Sequence, residues 1–219
     1  MARQKNLVRR HEILRNTFIL LKKRGMENVS LQMIADKSGI SKSLLQSYYP
    51  HKNLLITEIV TNFMTAVLKS LNATDFKELN TYSKMKIFIY LILEQGIQDE
   101  GVESVVKSIL SDSDSLDCWS QILDDWLRNE GVKHDLGSDR QVQIGLNFIV
   151  TAGGSLYIKR AELDLDADQI SDIMVKTFMS TFLSMDESKI DQTIDEAKSA
   201  LQKYELATLT QTINEMFDN

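Results

Sequence analysis

The sequence predicts an all-α fold, and three observations support this class. The 219 residues include one Pro and nine Gly, so few residues would interrupt a helix. Apolar residues recur at intervals of three and four, which is the spacing of one helix face, and no segment alternates apolar and polar residues as a half-buried strand would. Hydrophobic residues make up 43% of the chain, enough to build a core at this length.

Charge is distributed unevenly along the chain. Residues 1–55 contain 11 Lys and Arg against 3 Asp and Glu, so this quarter carries +8 and the remainder carries −14. The overall charge of −6 conceals this asymmetry. A basic end on an acidic chain predicts that one end meets a polyanion and the other does not.

The first predicted helix covers about residues 7–24. Its apolar residues share one face, cations occupy its last turn, where they suit the helix dipole, and Gly25 follows as a stop. Two short helices come next. Ser30 is the predicted N-cap of one that Gly39 closes, and Ser41 is the predicted N-cap of the other, over about Lys42–Tyr48.

Pro50 cannot continue that last short helix, and a long helix is predicted to begin beside Lys52. Beyond residue 71 the sequence predicts longer helices separated by short polar linkers, among them 131–138. These helices are predicted over about residues 82–98, 101–111, 115–129, 139–161, 167–185 and 188–217.

Two short helices joined by a Gly-containing turn, after a longer amphipathic helix, predict a helix-turn-helix. In this motif the second short helix places its N-terminal end in the DNA major groove. Gln can pair bidentately with adenine, and Lys can reach the acceptors of guanine. The side chains predicted to face outward are Lys42, Ser43, Leu44, Gln46, Ser47 and Tyr48. For Tyr48 and Tyr49 we expect one ring in the core and one hydroxyl facing DNA.

The segment IADKSGISKSLLQSYYPHKNLL, residues 34–55, resembles the N-terminal DNA-binding segment of the TetR family of transcriptional regulators. The upstream segment EILRNTFILLKKRGMENVSLQMIA is similar to the family's first helix and the capped start of its second. About 50 residues are covered. The sequence departs from the family pattern at Gln46, where the family usually has Tyr, and at Leu44, where it has a small residue.

The resemblance implies a DNA-binding domain at residues 1–55, a connecting helix at about 52–70, and an effector-binding and dimerisation domain at 71–219. It also implies a homodimer on a double-stranded operator, and a repressor that a small effector releases. From the same resemblance, the residues expected to contact DNA are Ser30, Gln32, Lys42, Ser43, Leu44, Gln46, Tyr48 and Lys52.

Lys52 also has a physical reason to bind phosphate, because the first turn of a helix already favours anions. A solvated lysine is the alternative. The cations Arg3, Lys5, Arg9 and Arg10 are predicted to form an arm along the duplex or in its minor groove, with a disordered tail as the alternative.

The second domain should supply a helix face that one chain cannot bury alone. The best candidates are residues 144–157 and 170–182, with intrachain core as the alternative for each. The last helix either extends this interface or caps the domain. The resemblance also implies an effector pocket, for which ordinary core is the competing explanation. Its candidate lining residues are Met85, Phe88, Leu93, Trp119, Ile122, Trp126, Phe148 and Thr151.

The sequence shows no phosphate-binding loop, metal-ligand spacing or nucleophile–base set, so we expect neither cofactor nor enzyme activity. The longest apolar run, residues 87–93, is too short for a membrane span. A lone Cys118 and no visible secretory signal favour the cytoplasm. Two alternatives stay open, a helical enzyme with an acidic site and an all-helical interaction module that does not bind DNA.

Overall fold

Helices form the regular structure of this computed structural model, which describes residues 2–73, 76–130, 139–204, 209 and 211. Within those ranges there is no strand, and the all-α prediction is confirmed. The helices are α1 (Ala2–Arg24), α2 (Leu31–Lys37), α3 (Lys42–Tyr48), α4 (Lys52–Ala73), α5 (Thr81–Gln98), α6 (Glu100–Leu110), α7 (Ser113–Asn129), α8 (Asp139–Ile158), α9 (Arg160–Leu163), α10 (Ala167–Thr177) and α11 (Glu187–Leu201).

Helices α1, α2 and α3 form an N-terminal unit. The predicted inner face of α1 is buried at Ile13, Leu14, Phe18 and Leu21. Gly25 ends this helix with φ +75°, a left-handed conformation that glycine adopts without steric cost. These buried residues are continuous with the core of the larger part of the fold, and α1 packs on α6 as well as on α2.

Helix α4 connects this unit to the rest of the fold. It packs on α1 at one end and on α5 and α7 further along, and Ile59, Phe63 and Val67 are buried along it. By length and composition alone its segment Lys52–Leu71 could cross a membrane, but 56% of this apolar stretch is buried inside the fold. We therefore interpret α4 as a core helix.

Helix α5 is the centre of the larger helical layer. It is surrounded by α4, α6, α10 and α11, and nearly all of its side chains are buried, including those of Lys84 and Lys86. The ammonium of Lys86 lies 2.5 Å from Asp168 Oδ1 and 3.2 Å from Asp172 Oδ1 on α10. Burying this charge is tolerable because carboxylates surround it.

The second half of the chain departs from two predicted boundaries. The helix predicted over 139–161 ends at Ile158, because Lys159 leaves helical geometry with ψ 8° before the short α9. The helix predicted over 167–185 changes at Phe178 into a π-helical turn, Phe178–Phe182. This wider turn packs the rings of Phe178 and Phe182 over Gly145 of α8, where a Cβ would lie within 3 Å of both.

The last predicted helix, over 188–217, is observed as α11, which ends at Leu201. Of the remaining residues, 209 and 211 are helical, and the others beyond 204 lie outside the described part, as does the predicted linker 131–138. Helix α11 packs on α5 and on the π-helical turn. Lys198 ties it to Asp172 at 2.7 Å. Within one chain this helix caps the second domain.

Candidate nucleic-acid interface

Both short helices of the N-terminal unit begin with the predicted serine cap. Ser30 Oγ accepts a hydrogen bond from the Met33 N–H at 3.3 Å, and Ser41 Oγ accepts one from the Leu44 N–H at 3.2 Å. These bonds satisfy N–H groups that have no partner inside the helix. Gly39, with φ +64°, makes the turn between the two helices.

The turn is fixed by packing beneath it. Ile34 and Ala35 of α2 and Leu45 of α3 are fully buried. The Ile40 N–H donates to the Ala35 carbonyl at 3.1 Å, which holds the two helices in one arrangement. The predicted split of the adjacent tyrosines is observed in part, because Tyr49 is buried and Tyr48 is half-buried.

The outer face of α3 exposes the side chains expected to read DNA. Lys42, Ser43, Gln46 and Ser47 are exposed, and Leu44 is half-buried. The hydroxyl of Ser47 donates to the Leu44 carbonyl at 2.7 Å, so it is committed to its own helix. Lys42 and Gln46 are four residues apart and therefore share one face of the helix.

Ser30 and Gln32 are exposed at the start of α2, but both side chains are engaged. The Ser30 hydroxyl is the helix cap, and the Gln32 amide donates to Asp36 Oδ1 at 2.7 Å. A DNA contact by Gln32 therefore requires it to leave Asp36.

Lys52 is half-buried in the first turn of α4. Its ammonium donates to the Met26 carbonyl, and burial lowers the pKa of Lys52. An ammonium has three N–H donors, so the Met26 carbonyl leaves two of them for a phosphate. The predicted phosphate contact of Lys52 is compatible with this position.

The predicted basic arm is only partly described, because the side chains of Arg3 and Lys5 lie outside the described part. Arg9 is exposed. Arg10 turns instead towards α4, where its guanidinium binds the Glu58 carboxylate through two hydrogen bonds, Nε to Oε1 at 2.8 Å and Nη2 to Oε2 at 2.6 Å. Sequence reasoning missed Glu58, since no local pattern joins residues 48 positions apart.

The candidate effector pocket is divided between the core and the surface. Five of its predicted residues are buried and Ile122 is half-buried, whereas Phe148 and Thr151 are exposed on the outer face of α8. These two cannot line a cavity inside one chain. Among the buried residues, Trp119 has an indole N–H with no hydrogen-bond partner in the described part of the chain. The buried members are Met85, Phe88, Leu93, Trp119 and Trp126.

Helix α8 exposes an uncharged stripe. No Asp, Glu, Lys or Arg occurs over residues 141–158, although 26% of the chain is charged. Ile144 and Phe148 are 52% and 54% exposed, and Ile173 of the neighbouring α10 is 42% exposed. Phe148 also contacts Phe182 of the π-helical turn, with ring centroids 5.5 Å apart. An apolar face of this kind is typical of an interface.

Comparison with known proteins identifies the N-terminal unit. Residues 13–59 match the family model described as bacterial regulatory proteins, tetR family. Nucleoid occlusion factor SlmA of Actinobacillus pleuropneumoniae serotype 5b is 26% identical over 82 residues, which are 37% of this chain and 41% of the relative. SlmA of Haemophilus ducreyi is 24% identical over 88 residues, 40% of this chain and 44% of the relative. The match thus spans less than half the length of these relatives.

The similarity of fold extends over nearly the whole chain. The crystal structure of RolR in complex with the ligand resorcinol superposes with a TM-score of 0.56 at 14% identity, covering 89% of this chain and 96% of RolR. At that identity the likeness concerns the fold. Residues 13–59 therefore match the tetR family of bacterial regulatory proteins and form a helix-turn-helix, and the chain as a whole shares its fold with RolR.

Proposed function

We propose that the protein is a homodimeric, cytoplasmic, sequence-specific DNA-binding transcriptional repressor that a small-molecule effector releases from its operator. Residues 1–55 are the DNA-reading domain, and residues 71–219 bind the effector and form the dimer. The protein is a regulator and not an enzyme. The family match and the shared fold support this function.

The observation that carries the proposal is the outer face of α3. Lys42 and Gln46 extend from a helix whose first turn is capped by Ser41 and whose inner side is anchored by Leu45. Lys can reach the O6 and N7 acceptors of guanine, and Gln can pair bidentately with adenine. The position of Leu44 allows an apolar contact with a thymine methyl. Because Gln46 and Leu44 depart from the family pattern, the operator should be specific to this protein.

The dimer follows from an energetic requirement. A single base-reading side chain supplies roughly 1–3 kcal/mol of discrimination, too little for one α3 to find a site in a genome. Two copies on a two-fold axis double the reading surface. The uncharged stripe of α8, with Ile144 and Phe148, and the neighbouring Ile173 of α10 give one chain a face that a second copy would cover.

The effector site is proposed in the core of the larger helical domain, among buried residues of α5 and α7. Trp119 is 1% exposed, and its N–H has no partner among the described residues. Buried polar groups are normally hydrogen-bonded, so this donor is available to an acceptor atom of a ligand. RolR, which shares the fold, binds resorcinol. Met85, Phe88 and Trp126 supply apolar surface for the same ligand.

Competition binding tests the function. Purified protein is titrated against the DNA that flanks its own gene and against random DNA of equal length, at several salt concentrations. We expect a preference for the flanking DNA and an affinity that falls as salt rises, because each phosphate contact releases counterions.

A triple variant separates DNA binding from the alternative of an interaction module. Lys42→Ala, Gln46→Ala and Lys52→Ala change exposed or half-buried side chains, so the fold should be retained. We expect the triple variant to lose the preference for the flanking DNA. Wild-type protein that shows no preference, or a triple variant that behaves as wild type, would contradict the proposed function.

A further inference from the structure

We propose that Arg10, Glu58 and Tyr49 form a clamp that orients the recognition helix α3, and that Arg10 acts through Glu58 and not by binding the DNA backbone. This inference rests on the proposed DNA-binding function. It assigns a positioning role to three residues, one on α1, one on α4 and one at the end of α3. We call the three residues the Glu58 clamp.

The geometry of the clamp centres on one carboxylate. Glu58 accepts two hydrogen bonds from the Arg10 guanidinium and a third from the Tyr49 hydroxyl, whose oxygen lies 2.9 Å from Oε2. The guanidinium carbon also lies 5.4 Å from the centroid of the Tyr49 ring, within the range of a cation–π contact. Bidentate Arg–carboxylate pairing fixes orientation as well as distance.

Tyr49 makes this cluster relevant to α3. It is the C-cap of that helix, its N–H donates to the Leu45 carbonyl at 2.9 Å, and it is only 2% exposed. Helix α3 packs mainly on α2, so the Tyr49 hydroxyl supplies a direct polar connection from α3 to α4. Helix α3 has seven residues and is therefore about 10 Å long. Gln46 lies less than one turn from Tyr49, so a rotation of the helix at Tyr49 would displace Gln46.

The charges argue against a role for Arg10 on phosphate. Its positive charge is already balanced by the carboxylate of Glu58, whose Oε2 lies 2.6 Å from Nη2. A phosphate approaching the guanidinium would meet that carboxylate as well. A guanidinium that is already paired with a carboxylate neutralises little phosphate charge and releases few counterions from the DNA, so it should contribute little to the salt dependence of binding.

The protonation states agree with this arrangement. The hydrogen bond to Glu58 raises the pKa of Arg10 above its ordinary value. Burial, together with Glu58, raises the pKa of the Tyr49 hydroxyl. Tyr49 therefore remains a hydrogen-bond donor, and the clamp keeps its three bonds at neutral pH.

The test uses full-length protein and a duplex that carries the sequence selected by the wild-type protein from a random DNA pool. Affinity and its dependence on salt are measured for Arg10→Gln, Glu58→Gln and the double variant. We expect each single variant to weaken specific binding by about three- to tenfold, the double variant to be no weaker than either single one, and the salt slope to stay unchanged.

The sign of the Glu58→Gln effect separates the two explanations. If only electrostatics mattered, removing a negative charge from the DNA-binding domain would strengthen binding to a polyanion. The clamp predicts that binding weakens instead. The proposal is overturned if Glu58→Gln binds DNA as well as or better than wild type, or if Arg10→Gln reduces the salt slope by about 0.9, the value of one phosphate contact.

Two further variants control for charge and for folding. Arg9→Gln removes the same charge from the adjacent exposed position, and its effect should add to that of Glu58→Gln because Arg9 is outside the clamp. Tyr49→Phe keeps the buried ring and removes one hydrogen bond. We expect about a threefold loss of specific affinity for it, with a wild-type circular dichroism spectrum, and full affinity would contradict the clamp.

Wild-type protein is measured in the same experiment. If the wild-type protein selects no DNA sequence, the result contradicts both the proposed function and the Glu58 clamp. A wild type that binds its selected duplex, beside a Glu58→Gln variant of equal or higher affinity, overturns the clamp alone.

Discussion

At the scale of single residues, we propose that Gln46 is the side chain on which sequence preference depends most. It is exposed on α3, and it stands where the family usually has a tyrosine. Leu44, the other departure, is half-buried and presents only part of its side chain. We therefore expect the amide of Gln46 to contribute the larger share of base discrimination.

Replacing Gln46 tests this assignment. Gln46→Ala should relax the preference at one base pair in each half-site by roughly 1–3 kcal/mol, because the bidentate pairing is lost, and should leave affinity for random DNA unchanged. The measurement is binding to a panel of duplexes with single substitutions. Ser47→Ala is the matched control, since its exposed hydroxyl bonds to its own helix. An equal loss on every duplex would show that Gln46 does not read a base.

Some residue roles could be predicted from the sequence, and others could not. Ser30, Gly39 and Ser41 are local signals whose physics acts within three or four residues, and all three lie in the predicted cap or turn. The cluster of cations predicts a DNA-binding arm that includes Arg10, with a disordered tail as the alternative. The structure pairs Arg10 with Glu58, and a pair of residues on different helices leaves no trace in local spacing.

At the scale of helices, the starts of elements were predicted better than the breaks inside them. Caps and glycines mark helix starts and turns, so α3 and the beginnings of α8 and α10 agree with the predictions. The π-helical turn at Phe178–Phe182 was missed. Phe178 and Phe182 of this turn pack against Gly145 on another helix, a contact that the apolar pattern of α10 cannot show.

The buried Lys86 is the second feature that the sequence did not reveal. Its ammonium contacts Asp168 and Asp172 of α10, and both carboxylates also contact Lys198 of α11. Burial opposes the ionisation of Asp168, but the hydrogen bond from Lys86 and the charges of Lys86 and Lys198 outweigh it, so the pKa of Asp168 is lowered. Four alternating charges thus join α5, α10 and α11.

Removing the buried cation should destabilise this junction. Lys86→Met keeps much of the volume of the side chain but leaves Asp168 and Asp172 with Lys198 alone, and we expect a loss of about 1–3 kcal/mol in the free energy of unfolding. Urea denaturation measures the change. The control is Lys107→Met, which removes a side chain that is 44% exposed and pairs with Glu103 on its own helix, and which should cost at most about 0.5 kcal/mol. Equal effects of the two variants would contradict the structural role of Lys86.

At the scale of the whole molecule, we propose that the uncharged stripe of α8 forms the dimer interface. Phe148 was predicted as a pocket residue, yet it is 54% exposed on that stripe. When both faces of a helix are apolar, as in α8, the sequence pattern does not show which way an apolar side chain faces. The sequence signal for an exposed apolar face was the absence of charged residues over 141–158.

A charge on the stripe should separate the dimer. Phe148→Asp places a carboxylate in the centre of the proposed interface, where it would lose its hydration without a partner. We expect sedimentation equilibrium to show a monomer for this variant and a dimer for wild type. Leu163→Asp is the control, because Leu163 is similarly exposed at 48% but lies on α9, outside the uncharged residues 141–158. A dimeric Phe148→Asp protein would place the interface elsewhere.

The central claim is that two copies of α3 read a defined DNA sequence. Selection from a random-sequence duplex pool at physiological salt tests this most directly, with wild-type protein and the Lys42→Ala, Gln46→Ala, Lys52→Ala triple variant in parallel. Wild type should enrich an inverted repeat whose half-sites have centres about 34–36 Å apart or a multiple of this distance, and the triple variant should enrich none. A wild-type pool without an enriched sequence, or the same sequence enriched by both proteins, would contradict the account.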